Sequence, residues 1–313
     1  MANIALALGA GGARGIAHIH AIKALDELGI VPTGVAGSSI GSIIGAAYCT
    51  GMTADEMVAH IDETLDNPLA LLRDMFRIGP DSFNMFLSEG GPRIGELNLE
   101  RILAGILPDT IPQDFADLNI PLQIVTTDYY AQSRTVLGSG DLRFAIAASS
   151  AIPAVFLPVE REGRFYIDGN ATDPCPIDVL NHETDQVIAI DVSGGAYGDP
   201  TKRPSKMDVT YAAGQMMQRS ILHSKVARFP GTVVLRPPVD AVSSLDFHKA
   251  REILEETRVE RSSETGGRSG GGCAALDQDL HHAIKCARLD HPQVYTGGRG
   301  AGRTCASVKQ PLM

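Results

Sequence analysis

The pentapeptide Gly37-Ser38-Ser39-Ile40-Gly41 constrains this chain more than any other stretch. It follows the apolar pair Val35-Ala36 and precedes the small-residue run Ser42-Ile43-Ile44-Gly45-Ala46-Ala47. A strand enters it and a helix leaves it. Glycines at both ends permit a sharp turn and close packing of the flanking elements. This is the G-x-S-x-G pattern, in which a strand-to-helix turn presents its central serine, here Ser39, at a helix N-terminus. Partial positive charge there favours a developing anion. A tight turn of small residues with no chemistry satisfies the same five positions, so the rest of the chain has to decide.

Upstream, Asn3 to Leu8 (NIALAL) reads as a short strand buried on both faces. The loop Gly9-Ala10-Gly11-Gly12-Ala13-Arg14-Gly15 follows. Next comes a helix with Ile19, Ile22 and Leu25 on one face, closed by Gly29. Val31 to Ala36 then leads into the serine turn, giving a parallel β–loop–α–β unit. The glycine loop admits two functional readings and a plain turn. As a dinucleotide fingerprint it needs a glycine where Arg14 stands and an acid at the end of the next strand, where Gly37-Ser38-Ser39 stands instead. As an oxyanion loop it needs bare backbone amides, which consecutive glycines expose, and Arg14 adds positive charge.

Further along, Thr53 and Glu56 form a capping box, with Met57, Ile61 and Leu65 on one helical face. Residues 68–87 are rich in Leu, Met and Phe, which suits a helix packed on the core and also a lipid-handling lid. A helix is expected over Leu97 to Leu107 and strands over Pro121 to Thr127 and Arg134 to Leu137. Asp141 is set to cap a small apolar helix, Leu142 to Ser150, that ends before Pro153. A hairpin over 159–167 delivers Asp168-Gly169, where an acid at a strand end can point into a cleft; an ordinary Asp-Gly turn reads the same. Val187 to Val192 is a buried strand and Asp208 to Phe229 a long helix. Thr232 to Leu235 reads as the last strand and Phe247 to Glu256 as the last helix. Residues 257–313 hold nine of the 33 glycines, three of the five cysteines, and eight basic against five acidic residues without periodicity. They read as an atypical, mobile tail on a domain spanning 1–256.

The net charge of -10 argues against nucleic acid as a partner. Cysteines at 49, 175, 273, 286 and 305 are odd in number and lack C-x-x-C spacing. Neither a disulfide framework nor a metal site is indicated, and reduced thiols in a cytoplasmic setting are expected. The apolar N-terminus lacks a basic flank and reads as a strand, not a signal peptide. No apolar run approaches the ~18 residues of a membrane span.

Three motifs now stand in order: Gly9–Gly15, Gly37–Gly41 and Asp168-Gly169. Together with Ala148-Ser149-Ser150-Ala151-Ile152-Pro153-Ala154-Val155-Phe156-Leu157-Pro158, they resemble the patatin-like phospholipases, a family of lipid acyl hydrolases. The resemblance covers about residues 3–256, and the tail departs from it. It implies an α/β fold, a mainly parallel central sheet flanked by helices and related to the α/β-hydrolases. It implies a Ser39–Asp168 dyad with no catalytic histidine and no cofactor. Gly11, Gly12 and Arg14 match the oxyanion loop, while Gly9, Gly15, Gly37, Gly41 and Gly169 shape the turns. The implied substrate is a lipid ester, with peripheral membrane contact as a further expectation and the oligomeric state open. A Ser-His-Asp arrangement remains an alternative, with His182, His223 or His248 following the acid in sequence. A catalytically silent lipid-binding module on the same fold is another.

Overall fold

The computed structural model describes residues 3–66, 99–153, 155–180, 184–195, 201–229, 232–240, 242–244, 246–257 and 294–296. The expected lid over 68–87, Ala154, His182 and nearly all of the 257–313 tail lie outside them.

The chain begins with β1 (Ile4–Leu8), a 3₁₀ turn (Gly12–Ala17), α1 (His18–Glu27), β2 (Gly34–Ser38), α2 (Ile40–Cys49) and α3 (Ala54–Asp66). Then come α4 (Leu99–Ile106), β3 (Leu122–Asp128), β4 (Ser133–Leu137), α5 (Leu142–Ser149), β5 (Val159–Arg161) and β6 (Arg164–Asp168). The last elements are β7 (Gln186–Ile190), α6 (Lys206–Arg228), β8 (Thr232–Arg236), α7 (Ala250–Glu256) and β9 (Val294–Thr296). A 3₁₀ turn, Phe247–Lys249, leads into α7. Local chemistry explains the boundaries. Thr53 and Glu56 cap α3 reciprocally, the Thr53 amide donating to Glu56 Oε2 at 2.8 Å and the Glu56 amide to Thr53 Oγ1 at 3.3 Å. The Asp141 carboxylate accepts from the Phe144 amide and starts α5. Gly29, at φ 62°, ends α1.

The described strands form one sheet of nine. β1, β2, β3, β7, β8 and β9 are joined by parallel pairings, while β4 and β6 run antiparallel to β3 and β5 antiparallel to β6. Alternate residues of the central strands serve two cores. Leu6 and Leu8 of β1, with Ile188 and Ile190 of β7, pack with α1, α2 and α5. Ala5, Ala7, Val187 and Ala189 face Leu222 of α6 on the other side. The mainly parallel, helix-flanked sheet is therefore the expected one. The reading of Thr232–Leu235 as the last strand is corrected: Val294-Tyr295-Thr296 adds to β8 in parallel register. These β-branched and aromatic residues form a run too short to stand out by periodicity. Among the described residues, no helix is long and apolar enough to cross a membrane.

One feature of register decides where the chemistry sits. β4 pairs with Ile124–Asp128 of β3 and occupies one edge of that strand. β2 pairs with Leu122–Val125, and β6 with Thr126–Asp128, so both must lie on the opposite edge. β2 ends opposite Val125 with Ser38, and β6 ends opposite Thr126 with Asp168. The two strands run toward each other and stop head to head.

Candidate active site

Ser39 stands where β2 stops, at φ 55° and ψ -125°. Positive φ is uncommon for any residue with a Cβ and marks backbone held by its surroundings. Close packing explains the flanking glycines. A methyl at Gly37 would run into the carbonyl of Gly41, and one at Gly41 into the carbonyl of Leu8. Ser39 is 3% exposed and Asp168 is fully buried.

The Ser39 hydroxyl donates to Asp168 Oδ2 at 2.6 Å. The other carboxylate oxygen, Oδ1, accepts from the Asn170 amide at 2.8 Å. Burial pushes the Asp168 carboxyl up to about 7, against the opposing pull of these two hydrogen bonds. A methyl at Gly169 would run into the Val125 carbonyl and the Ser38 hydroxyl, so close packing requires glycine immediately after the acid.

The glycine loop closes over the end of the sheet. The amides of Gly9, Ala10 and Ala13 donate to the carbonyls of Ile190, Pro174 and Ser244 at 3.0, 2.7 and 2.8 Å. The amides of Gly11 and Gly12 have no protein acceptor among the described residues, as befits the first positions of a helical turn. Gly15 abuts the side chain of Ile40, so the loop touches the residue next to Ser39. Gly9 and Gly11 lie against the carbonyls of Ile190 and Val192, and Gly12, at φ 59°, against that of Ser244.

Arg14 is fully buried. Its Nε donates to the Val242 carbonyl at 2.7 Å and Nη1 to Gln215 Oε1 at 3.1 Å. Gln215, on α6, also accepts from the Gly194 amide. The arginine thus ties the glycine loop to α6 and to the turns after β7 and β8.

Several residues of the site carry no signal that the sequence made legible. His18 is fully buried and its Nε2 donates to the Gly9 carbonyl at 2.8 Å. A carbonyl only accepts, so Nε2 carries a proton. Burial lowers the ring's pKa to about 4, which leaves it neutral near pH 7. The Ser149 hydroxyl accepts the Ser39 amide at 2.8 Å and donates to the Val125 carbonyl at 2.6 Å. Its one sequence cue is a hydroxyl among buried alanines. Behind Asp168, Arg134 and Lys225 converge on Asp173 and Asp178. The Asp173 amide bonds the Gly169 carbonyl at 2.8 Å, and the neighbouring Pro174 carbonyl holds Ala10, so this ion cluster braces the span between acid and glycine loop.

His223 and His248 are exposed on α6 and before α7, and the Ser39–Asp168 bond is direct. Among the described residues, no group of three His, Cys, Asp or Glu side chains is arranged to hold a metal ion. Cys49 and Cys175 are free and buried.

The sequence profile of the patatin-like phospholipases matches residues 6–181, which include all three motifs. An uncharacterized NTE family protein of Mycobacterium tuberculosis is 36% identical over 197 residues, covering 63% of this chain and 51% of that protein. Patatin-like phospholipase domain-containing protein 6 of Mus musculus is 30% identical over 283 residues, covering 81% of this chain and 20% of that protein. Lysophospholipase nte1 of Aspergillus fumigatus is 25% identical over 275 residues, covering 80% of this chain and 17% of that protein. The chain spans about half the length of the first of these relatives and a smaller share of the others. With its profile match running over more than half of the sequence and through every motif of the site, the chain belongs to the patatin-like phospholipase family.

Proposed function

We propose that this protein is a serine acyl hydrolase that cleaves carboxylic esters of lipids, with Ser39 as nucleophile and Asp168 as base. The observation that carries the reading is the 2.6 Å bond from the Ser39 hydroxyl to a fully buried carboxylate. An ordinary carboxylate is a weak base toward a serine hydroxyl. Burial raises this one to about 7, which brings its proton affinity nearer to what the reaction needs.

In the proposed sequence, Asp168 takes the hydroxyl proton as Ser39 Oγ attacks the ester carbonyl. The carbonyl electrons move onto oxygen, and that oxyanion is met by the amides of Gly11 and Gly12. Each such donor is worth on the order of 10²–10³ in rate. Arg14 acts by holding the loop in place. The oxyanion collapses, the alcohol leaves with the proton from Asp168, and the acyl group stays on Ser39. Water then attacks the acyl-enzyme with Asp168 again as base, releasing the fatty acid. The lysophospholipase among the relatives makes single-chain phospholipids a first natural substrate to try.

The test is turnover of a graded series of p-nitrophenyl esters and of a labelled lysophospholipid. Wild type should hydrolyse them, and Ser39→Ala should not while keeping its circular dichroism. Absence of turnover by wild type on every ester would overturn the reading in favour of a lipid-binding role.

A further inference from the structure

We propose that Ser149 is a positioning residue that sets the meeting of Ser39 with Asp168; the inference rests on the acyl-hydrolase reading above. β2 and β6 both ladder to β3, and among the described strands they share no ladder with each other. Their register on β3 brings the two ends side by side, and a tie from one end to the other has to come from outside that ladder.

The end of α5 supplies it. Ser149 Oγ accepts the amide of Ser39 and donates to the carbonyl of Val125, the β3 residue opposite the end of β2. Two residues on, the Ala151 carbonyl accepts the amide of Asp168 at 3.0 Å. One residue back, the Ala148 carbonyl accepts from Thr126 Oγ1 at 3.0 Å, which pins the helix end to β3. Within residues 148–151, Ser149 thus holds the nucleophile through its side chain and Ala151 holds the base through main chain. The Ser149 hydroxyl is not a helix-terminal back-bond, since its acceptor lies outside α5. It is fully buried and uses both its donor and an acceptor lone pair. It is also the partner that Ser39 has for its own amide at a backbone conformation a side chain rarely adopts. Ser150 is a built-in control, because its hydroxyl is buried beside Ser149 and has no hydrogen-bond partner among the described residues.

The experiment compares full-length wild type, Ser149→Ala, Ser149→Cys and Ser150→Ala. It measures kcat and KM on p-nitrophenyl butyrate from pH 5 to 9, and the rate at which a fluorophosphonate probe labels Ser39. For Ser149→Ala, kcat and the labelling rate should fall together by about 10- to 100-fold, with KM changed by less than about twofold. The acid limb of its pH profile should move to higher pH, because loosening the Ser39 bond removes an interaction that favours the Asp168 carboxylate. Ser149→Cys, with a weaker hydrogen-bonding group of similar shape, should fall in between, and it carries the test alone if the alanine variant does not fold. Ser150→Ala should match wild type. Wild-type labelling and an unmoved acid limb in Ser149→Ala would overturn the inference while leaving the acyl-hydrolase reading intact. An equal loss in Ser150→Ala would do the same, since it would point to packing. A wild-type Ser39 inert to both ester and probe would overturn both.

Discussion

The Ser39 hydroxyl reaches Asp168 Oδ2 at 2.6 Å because β2 and β6 stop against the same edge of β3, one opposite Val125 and the other opposite Thr126. Nucleophile and acid lie 129 positions apart in sequence and come from strands of opposite direction. In the proposed reaction the proton passes directly between them, with no third side chain as relay.

Asp168→Asn should therefore lose at least about 10³-fold in kcat/KM, whereas His223→Ala and His248→Ala should remain within about twofold of wild type. Steady-state kinetics on a short-chain ester decide it. An active Asp168→Asn would mean that another group serves as base.

The pH dependence follows from burial. Asp168 must be ionised to act, and its folded pKa is raised to about 7. Ester turnover should rise with pH through a midpoint near 7, well above that of an ordinary carboxylate. The same shift has a stability cost. A raised carboxyl pKa favours the native state fully at low pH, and that contribution is lost as pH rises from about 4 through about 7. Asp168→Asn, which cannot ionise, should gain on wild type across this window, by about 4 kcal/mol at its upper end. Urea unfolding at several pH values gives the difference directly.

His18 acts in the opposite sense. Its folded pKa is lowered to about 4, so the native state resists protonation and stability is lost as pH falls from about 6.5 toward 4. His18→Gln keeps a donor for the Gly9 carbonyl and removes the titration. Relative to wild type it should gain stability as pH drops through this window, by about 3 kcal/mol at pH 4. In wild type the two groups partly cancel between pH 4 and 6.5, so each trend shows only against its own variant.

Two glycines with different reasons to be glycine should respond differently. Gly29 needs only its positive φ, and nothing lies near an added methyl, so Gly29→Ala should cost about 1 kcal/mol. Gly41 has ordinary helical backbone but faces the Leu8 carbonyl, so Gly41→Ala must push α2 away from β1. Its cost should be several times larger, and thermal unfolding of the two variants compares them.

The parts of the site carried by short, contiguous patterns were legible in the sequence. Gly37–Gly41 and Asp168-Gly169 each encode their own turn, and the Thr53–Glu56 box and the Asp141 cap are local devices of the same kind. What remained hidden depends on contacts between distant segments. Nothing around Ser149 announces that its hydroxyl meets residue 39, and nothing at Arg134 or Lys225 announces a shared partner in Asp173. Arg14 shows the limit from the other side. Its place in the glycine loop was readable, but its commitment to Val242 and Gln215 requires a turn and a helix two hundred residues away.

The head-to-head arrangement of β2 and β6 also orders events in time. The half of the site bearing Ser39 is built from the contiguous β1–α2 unit, which can form from near neighbours. The half bearing Asp168 arrives with the β5–β6 hairpin and matters only once that hairpin has docked along β3. The proposed esterase activity should thus depend on the finished assembly and be gained last on refolding. On gentle heating it should be the first property to go, while the helices still report an intact protein.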